Sequence, residues 1–133
     1  ARAFSQDTNL MIEKNMRQLV EGICESFGVS AEVKYETTCP VTFNQPKQAE
    51  AAAKAAVTLL GEDKCNGDID PRPFSEDFSI MSENTPGCFV LMGNGTSGSY
   101  GRPLHSADYD FNDELLVKGS SYWVELAEQQ LKI

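Results

Sequence analysis

A chain of 133 residues with 41% hydrophobic content can bury roughly two thirds of the surface that its unfolded form exposes, so one soluble unit with its own core is the expected size class. Eleven Lys and Arg oppose twenty Asp and Glu, and the net charge of −9, spread along the chain, repels phosphate backbones and argues against nucleic-acid binding. No apolar run approaches the roughly 20 residues of a membrane helix, and no basic-then-apolar leader opens the sequence, so a cytoplasmic protein without membrane contact is expected.

The first periodic segment is helical: Ile12, Met16, Leu19, Val20, Ile23 and Phe27 recur at three-and-four spacing, with Asp7 or Thr8 as N-cap and Gly28 as stop. The period then falls to two. Val29, Ala31, Val33, Tyr35 and Thr37 alternate with Ser30, Glu32, Lys34 and Glu36, which predicts a half-buried strand. Cys39-Pro40 carries the chain out of this helix-strand unit, and Asn44 with Pro46 opens a second helix. Its apolar stripe of Ala49, Ala52, Ala53, Ala56, Val57 and Leu60 ends at Gly61. Such a stripe suits close packing against a sheet or another helix, although alanine also favours helix for its own sake.

Residues 62 to 74 are polar and broken by Gly67, Pro71 and Pro73, the composition of a loop. Ser75-Glu76-Asp77-Phe78 then predicts an N-cap with first-turn carboxylates and a short helix directing Phe78, Ile80 and Met81 inward. After Pro86-Gly87, the continuous apolar run Cys88-Phe89-Val90-Leu91-Met92 predicts a strand covered on both faces. A Gly- and Ser-containing loop leads to His105, and a final helix beginning near Asn112 is expected to bury Leu116, Gly119, Trp123, Leu126 and Ala127. Helices alternating with a buried strand predict an α/β layer architecture.

Cys24, Cys39, Cys65 and Cys88 form no Cys-x-x-Cys pair, which favours free thiols over a zinc ribbon or redox motif. The glycines from Gly93 to Gly101 lack the Lys-Ser/Thr ending of a phosphate-binding loop and predict a flexible segment beside a binding site. The single histidine, His105, lies in Pro103-Leu104-His105-Ser106-Ala107-Asp108-Tyr109-Asp110-Phe111-Asn112-Asp113, a run dense in oxygen donors. A neutral imidazole is a common zinc ligand whose ring a carboxylate can orient, and Asp108, Asp110 and Asp113 are all near in sequence. One histidine does not make a metal centre, because a catalytic zinc needs three protein ligands.

Leu104-His105-Ser106 followed by Tyr109-Asp110-Phe111-Asn112-Asp113-Glu114 resembles the last metal-ligand motif of the zinc-dependent aminoacylase and carboxypeptidase family, the group of hippurate hydrolases and auxin-conjugate amidohydrolases. Ala107 stands where that pattern usually has proline. Ser75-Glu76-Asp77-Phe78-Ser79, Pro86-Gly87-Cys88-Phe89 and Tyr122-Trp123-Val124-Glu125-Leu126-Ala127 resemble further segments in the same order, and Arg2-Ala3-Phe4 resembles a strand end of the family's small lid domain.

The resemblance implies the C-terminal part of a two-domain α/β metallohydrolase. Residues 1–42 would be the second half of a ferredoxin-like lid and dimerisation domain, and 43–133 the end of the zinc-peptidase-like catalytic domain. It implies His105 as a metal ligand for one of two divalent ions, zinc or manganese, with the general base and the other ligands outside this chain. Arg2 and Glu76 are the candidate substrate-binding residues, although first-turn carboxylates such as Glu76 and Asp77 also serve a helix dipole. The implied reaction is hydrolysis of N-acyl amino acids to a carboxylic acid and an amino acid, by a homodimer in which this chain alone is inactive. The alternative is a noncatalytic interaction or dimerisation module derived from such an enzyme.

Overall fold

The computed structural model describes residues 1–131 and contains four α-helices with two short 3-10 turns: α1 (Gln6–Phe27), α2 (Pro46–Leu60), α3 (Phe78–Ser82) and α4 (Glu114–Leu131), the turns being Glu62–Lys64 and Gly98–Gly101. The expected α/β architecture is therefore wrong. Among the described residues there is no β-strand, so neither a ferredoxin-like lid sheet nor a catalytic-domain sheet is present. The physical reason lies in pairing: an extended segment becomes a strand only when a neighbour accepts its backbone hydrogen bonds, and residues 29–37 and 88–92 form no ladder with each other or with any other described segment.

The chain forms two compact units, Ala1–Asn44 with Ile69–Gly87, and Gln45–Asp68 with the chain from Cys88 onward. In the first, α1 is capped by Ser5 rather than by Asp7 or Thr8: the Ser5 hydroxyl accepts from the Thr8 N–H at 3.1 Å. At its other end Gly28, at φ 65°, takes the left-handed conformation expected of a helix stop, and Val29 N–H returns to the Cys24 carbonyl.

The segment predicted as a strand runs back along α1 as extended chain, tied by side chains instead of a ladder. Arg17 donates to the Val33 carbonyl at 2.8 Å, Tyr35 Oη donates to Asn9 Oδ1 at 2.7 Å, and Asn9 Nδ2 donates to Thr37 at 3.1 Å. Only Val33 and Tyr35 of the expected inward set are half-buried; Val29, Ala31 and Thr37 are exposed, as are Glu32, Lys34 and Glu36, so the alternation holds for two positions and no sheet forms. In α3, Ser79 is fully buried and its hydroxyl donates to the Glu76 carbonyl. Ile80 and Met81, expected inside, are exposed. Phe78 is half-buried and lies so close to Gly87 that a Cβ there would sit 2.9 Å from its ring.

The second unit is built on α2 against α4. Pro46 occupies the first turn of α2, where its missing N–H costs nothing, and Gln45 takes the cap position in place of Asn44. Ala52 and Ala55 are buried, and the hydroxyl of the buried Tyr122 of α4 donates to the Ala52 carbonyl at 3.4 Å. Alanine's small side chain lets the helices approach, so of the two partners open to this stripe, a helix is the one found. The face that α4 buries is that of Leu115, Gly119, Tyr122 and Leu126, whereas Leu116, Trp123 and Ala127, expected inside, face solvent. Likewise Val90, Leu91 and Met92 are exposed rather than covered.

Among the described residues no helix is long and apolar enough to cross a membrane.

Candidate functional site

The loop between Asn94 and Asn112 presents His105, and its two ends are closed by one carboxamide. Asn94 Nδ2 donates to the carbonyls of Tyr100 at 3.1 Å and Asp110 at 2.8 Å, while its Oδ1 accepts from the Asn112 N–H at 2.9 Å. Asn112 replies by donating from Nδ2 to the Asn94 carbonyl at 3.2 Å, and its Oδ1 accepts from the Glu114 N–H at 3.1 Å, capping α4. Loop and helix start are thereby locked together. Two glycines permit the closure: a Cβ on Gly95 would lie 2.8 Å from Tyr100 Cβ, and one on Gly101 2.8 Å from the Thr96 carbonyl carbon. The expectation of a loosely held glycine loop thus misses a hydrogen-bonded frame. The Asn94 hub escaped sequence reading, where the signal present was an amide side chain between two glycines.

Within the frame, the turn Pro103–Ser106 closes through the Ser106 N–H to the Pro103 carbonyl at 3.2 Å. His105 sits at the third position of that turn with φ 69°, a left-handed conformation that costs a non-glycine residue about 1–2 kcal/mol. Such strain persists where the surrounding structure enforces it and concentrates at functional positions. His105 is exposed. Of the three acids near it, Asp108 is engaged on both oxygens, accepting from Ser106 Oγ at 2.6 Å and pairing with Arg102 Nε at 3.1 Å. More than half exposed on both sides, that ion pair contributes less than about 1 kcal/mol. It braces the turn rather than the imidazole.

Arg2 and Glu76 belong to the first unit and His105 to the second. Arg2 is exposed and donates from its guanidinium to the Pro73 carbonyl. Glu76 is half-buried just before α3, its backbone carbonyl accepting from both the hydroxyl and the N–H of Ser79. Among the described residues no three His, Cys, Asp or Glu side chains gather as a metal-holding group. One imidazole on a braced turn fits a single ligand position, so these residues by themselves do not make a catalytic metal centre.

All four cysteines are free thiols and half-buried. Burial pushes the Cys88 thiol above its ordinary value of 9.0, which keeps it protonated and unreactive near neutrality. A shallow, open cavity lies along α1, lined by Leu10, Glu13, Lys14, Arg17, Gln18 and Glu21. The Glu13–Arg17 pair at 2.7 Å already neutralises part of it.

The family model described as Peptidase family M20/M25/M40 matches residues 4–129. A hippurate hydrolase of Campylobacter jejuni is 29% identical over 131 residues, 98% of this chain and 33% of that protein. An N-acetylcysteine deacetylase of Bacillus subtilis is 32% identical over 127 residues, 95% of this chain and 31% of that protein. A thermostable carboxypeptidase 2 of Saccharolobus solfataricus is 26% identical over 122 residues, 90% and 30% respectively. The chain therefore spans about a third of the length of the curated relatives it matches. No solved structure matches it significantly.

Proposed function

The chain belongs to the peptidase family M20/M25/M40, and we propose that it forms part of a metal-dependent amidohydrolase that splits N-acyl amino acids into a carboxylic acid and an amino acid. The names of two relatives, a hippurate hydrolase and an N-acetylcysteine deacetylase, both denote removal of an acyl group from an amino acid and support that substrate class. The observation that carries the reading to a residue is His105, held at φ 69° on a loop whose ends Asn94 clamps together. In the complete protein His105 supplies one ligand to a centre of two zinc or manganese ions, and the remaining ligands and the general base come from outside this chain. Arg2 and Glu76 contribute to holding substrate, and residues 1–42 and 43–133 act as parts of a lid and a catalytic domain. The chain alone is inactive, since one ligand cannot hold a catalytic ion.

A second reading, a noncatalytic module for self-association, draws on α1, where Leu10, Met11, Leu19, Ile23 and Phe27 are all exposed. One experiment separates the two. Hydrolysis of benzoylated and acetylated amino acids is measured with a protein of the relatives' full length containing this chain, and with its His105→Ala variant. The hydrolase reading expects turnover that falls at least about a hundredfold in the variant while its circular dichroism is unchanged. Absence of turnover in a folded, dimeric full-length protein overturns it and leaves the module.

A further inference from the structure

The sequence contains two Asn-Gly dipeptides, Asn66-Gly67 and Asn94-Gly95, and the structure holds their carboxamides in opposite ways. We propose that Asn66 is a site of spontaneous covalent modification, passing through a succinimide to isoaspartate and aspartate, and that Asn94 is protected from the same reaction by its hydrogen bonds.

The chemistry needs only this chain and water. The backbone nitrogen of Gly67, on losing its proton to solvent, attacks Cγ of Asn66. An N–Cγ bond forms, the Cγ–Nδ2 bond breaks, and the amide nitrogen leaves as ammonia carrying that proton equivalent. Water then adds to either carbonyl of the five-membered imide, giving aspartate by one opening and isoaspartate by the other. No oxidant or reductant takes part.

Three features favour the step at Asn66. Asn66, Gly67 and Asp68 are all exposed, so the loop is open to base and water. Gly67 has no side chain to hinder approach to its own nitrogen, and the nearest atom to the position a Cβ would take is the Ala53 Cβ at 3.8 Å. The Asp68 N–H donates to Asn66 Oδ1 at 3.0 Å. That hydrogen bond draws electron density from Cγ and stabilises the oxyanion that develops on attack.

Asn94 shares the following glycine and an N–H on its Oδ1, and differs in exposure and in the two bonds that hold its Nδ2. Its Nδ2 is held by the carbonyls of Tyr100 and Asp110 and its Oδ1 by the Asn112 N–H, and the residue is half-buried. Rotation of the carboxamide onto Gly95 requires these three bonds to open first, which lowers the rate by the population of the opened loop, about a hundredfold or more.

The test incubates the folded chain in mildly alkaline buffer and follows both peptides by mass spectrometry, with electron-transfer fragmentation to distinguish isoaspartate from aspartate. The proposal expects the Asn66 peptide to convert, with isoaspartate among its products, at least about a hundredfold faster than the Asn94 peptide. In denaturant the two rates should converge, because the frame around Asn94 is gone. A Gly67→Ala variant, whose added methyl meets only an ordinary contact with Ala53, should slow conversion at Asn66 and leave Asn94 unchanged. Equal rates at the two sites in the folded chain, or an Asn66 that stays intact when folded yet converts when unfolded, would overturn the proposal.

Discussion

His105 is the residue at which conformation and chemistry pull in different directions. Its backbone at φ 69° suits glycine, and only the imidazole gives a reason for a histidine there. His105→Gly should therefore raise the stability of this chain by about 0.5–1 kcal/mol, the relief of left-handed strain less the extra backbone freedom that glycine gains on unfolding. A higher denaturation midpoint in urea at unchanged slope checks it, and a lower midpoint would mean that the side chain has packing value. The histidine, its flanking acids and the capping asparagine were legible in the sequence. The strain and the role of Asn94 were not, because both depend on which backbone groups residues 100, 110 and 112 bring to one point.

Titration near Tyr122 gives a second expectation at this scale. Burial raises the Cys88 thiol above 9.0, while burial and then the charge of Cys88 raise the Tyr122 hydroxyl above 10.0. The folded form keeps protons that the unfolded form releases, so stability is full below 9.0 and is lost as pH rises through the raised folded values. Urea midpoints should stay level toward pH 9.0 and fall beyond it, with a shallower fall in Cys88→Ala. An equally steep decline in that variant would remove Cys88 from the explanation.

Among the elements, helices were read from sequence far better than strands. The three-and-four patterns of α1, α2 and α4 and the stops at Gly28 and Gly61 depend on residues within one segment, and these elements formed. Residues 29–37 stayed extended without becoming a strand, with only Val33 and Tyr35 half-buried, since a ladder needs a partner that local sequence cannot supply. The burial pattern of α4 was misread for a related reason. Tyr122 and Trp123 are equally plausible core residues by composition, and the choice is made by the alanine face of α2, against which Tyr122 lies. That close approach predicts the effect of enlarging it: Ala55, with no exposed surface, leaves no room for a larger side chain. Ala55→Leu should cost about 1–3 kcal/mol in chemical denaturation, and a neutral substitution would show that the α2 and α4 contact is looser than described.

Across the whole molecule, large apolar side chains are left outside in both units: Leu19 and Phe27 in the first, and Leu91, Val117 and Trp123 in the second. Family membership was legible because motifs along almost the whole chain agree in order. The sheet implied by that resemblance is not formed by the described residues.

The most direct test of the account is the metal content of the full-length protein with and without His105. Wild type and His105→Ala are purified identically, dialysed against buffered zinc or manganese, and analysed by plasma mass spectrometry alongside circular dichroism. If His105 is one ligand of a two-ion centre, the variant retains its fold and loses at least one equivalent of metal per chain. Unchanged metal content in a folded His105→Ala protein would contradict it.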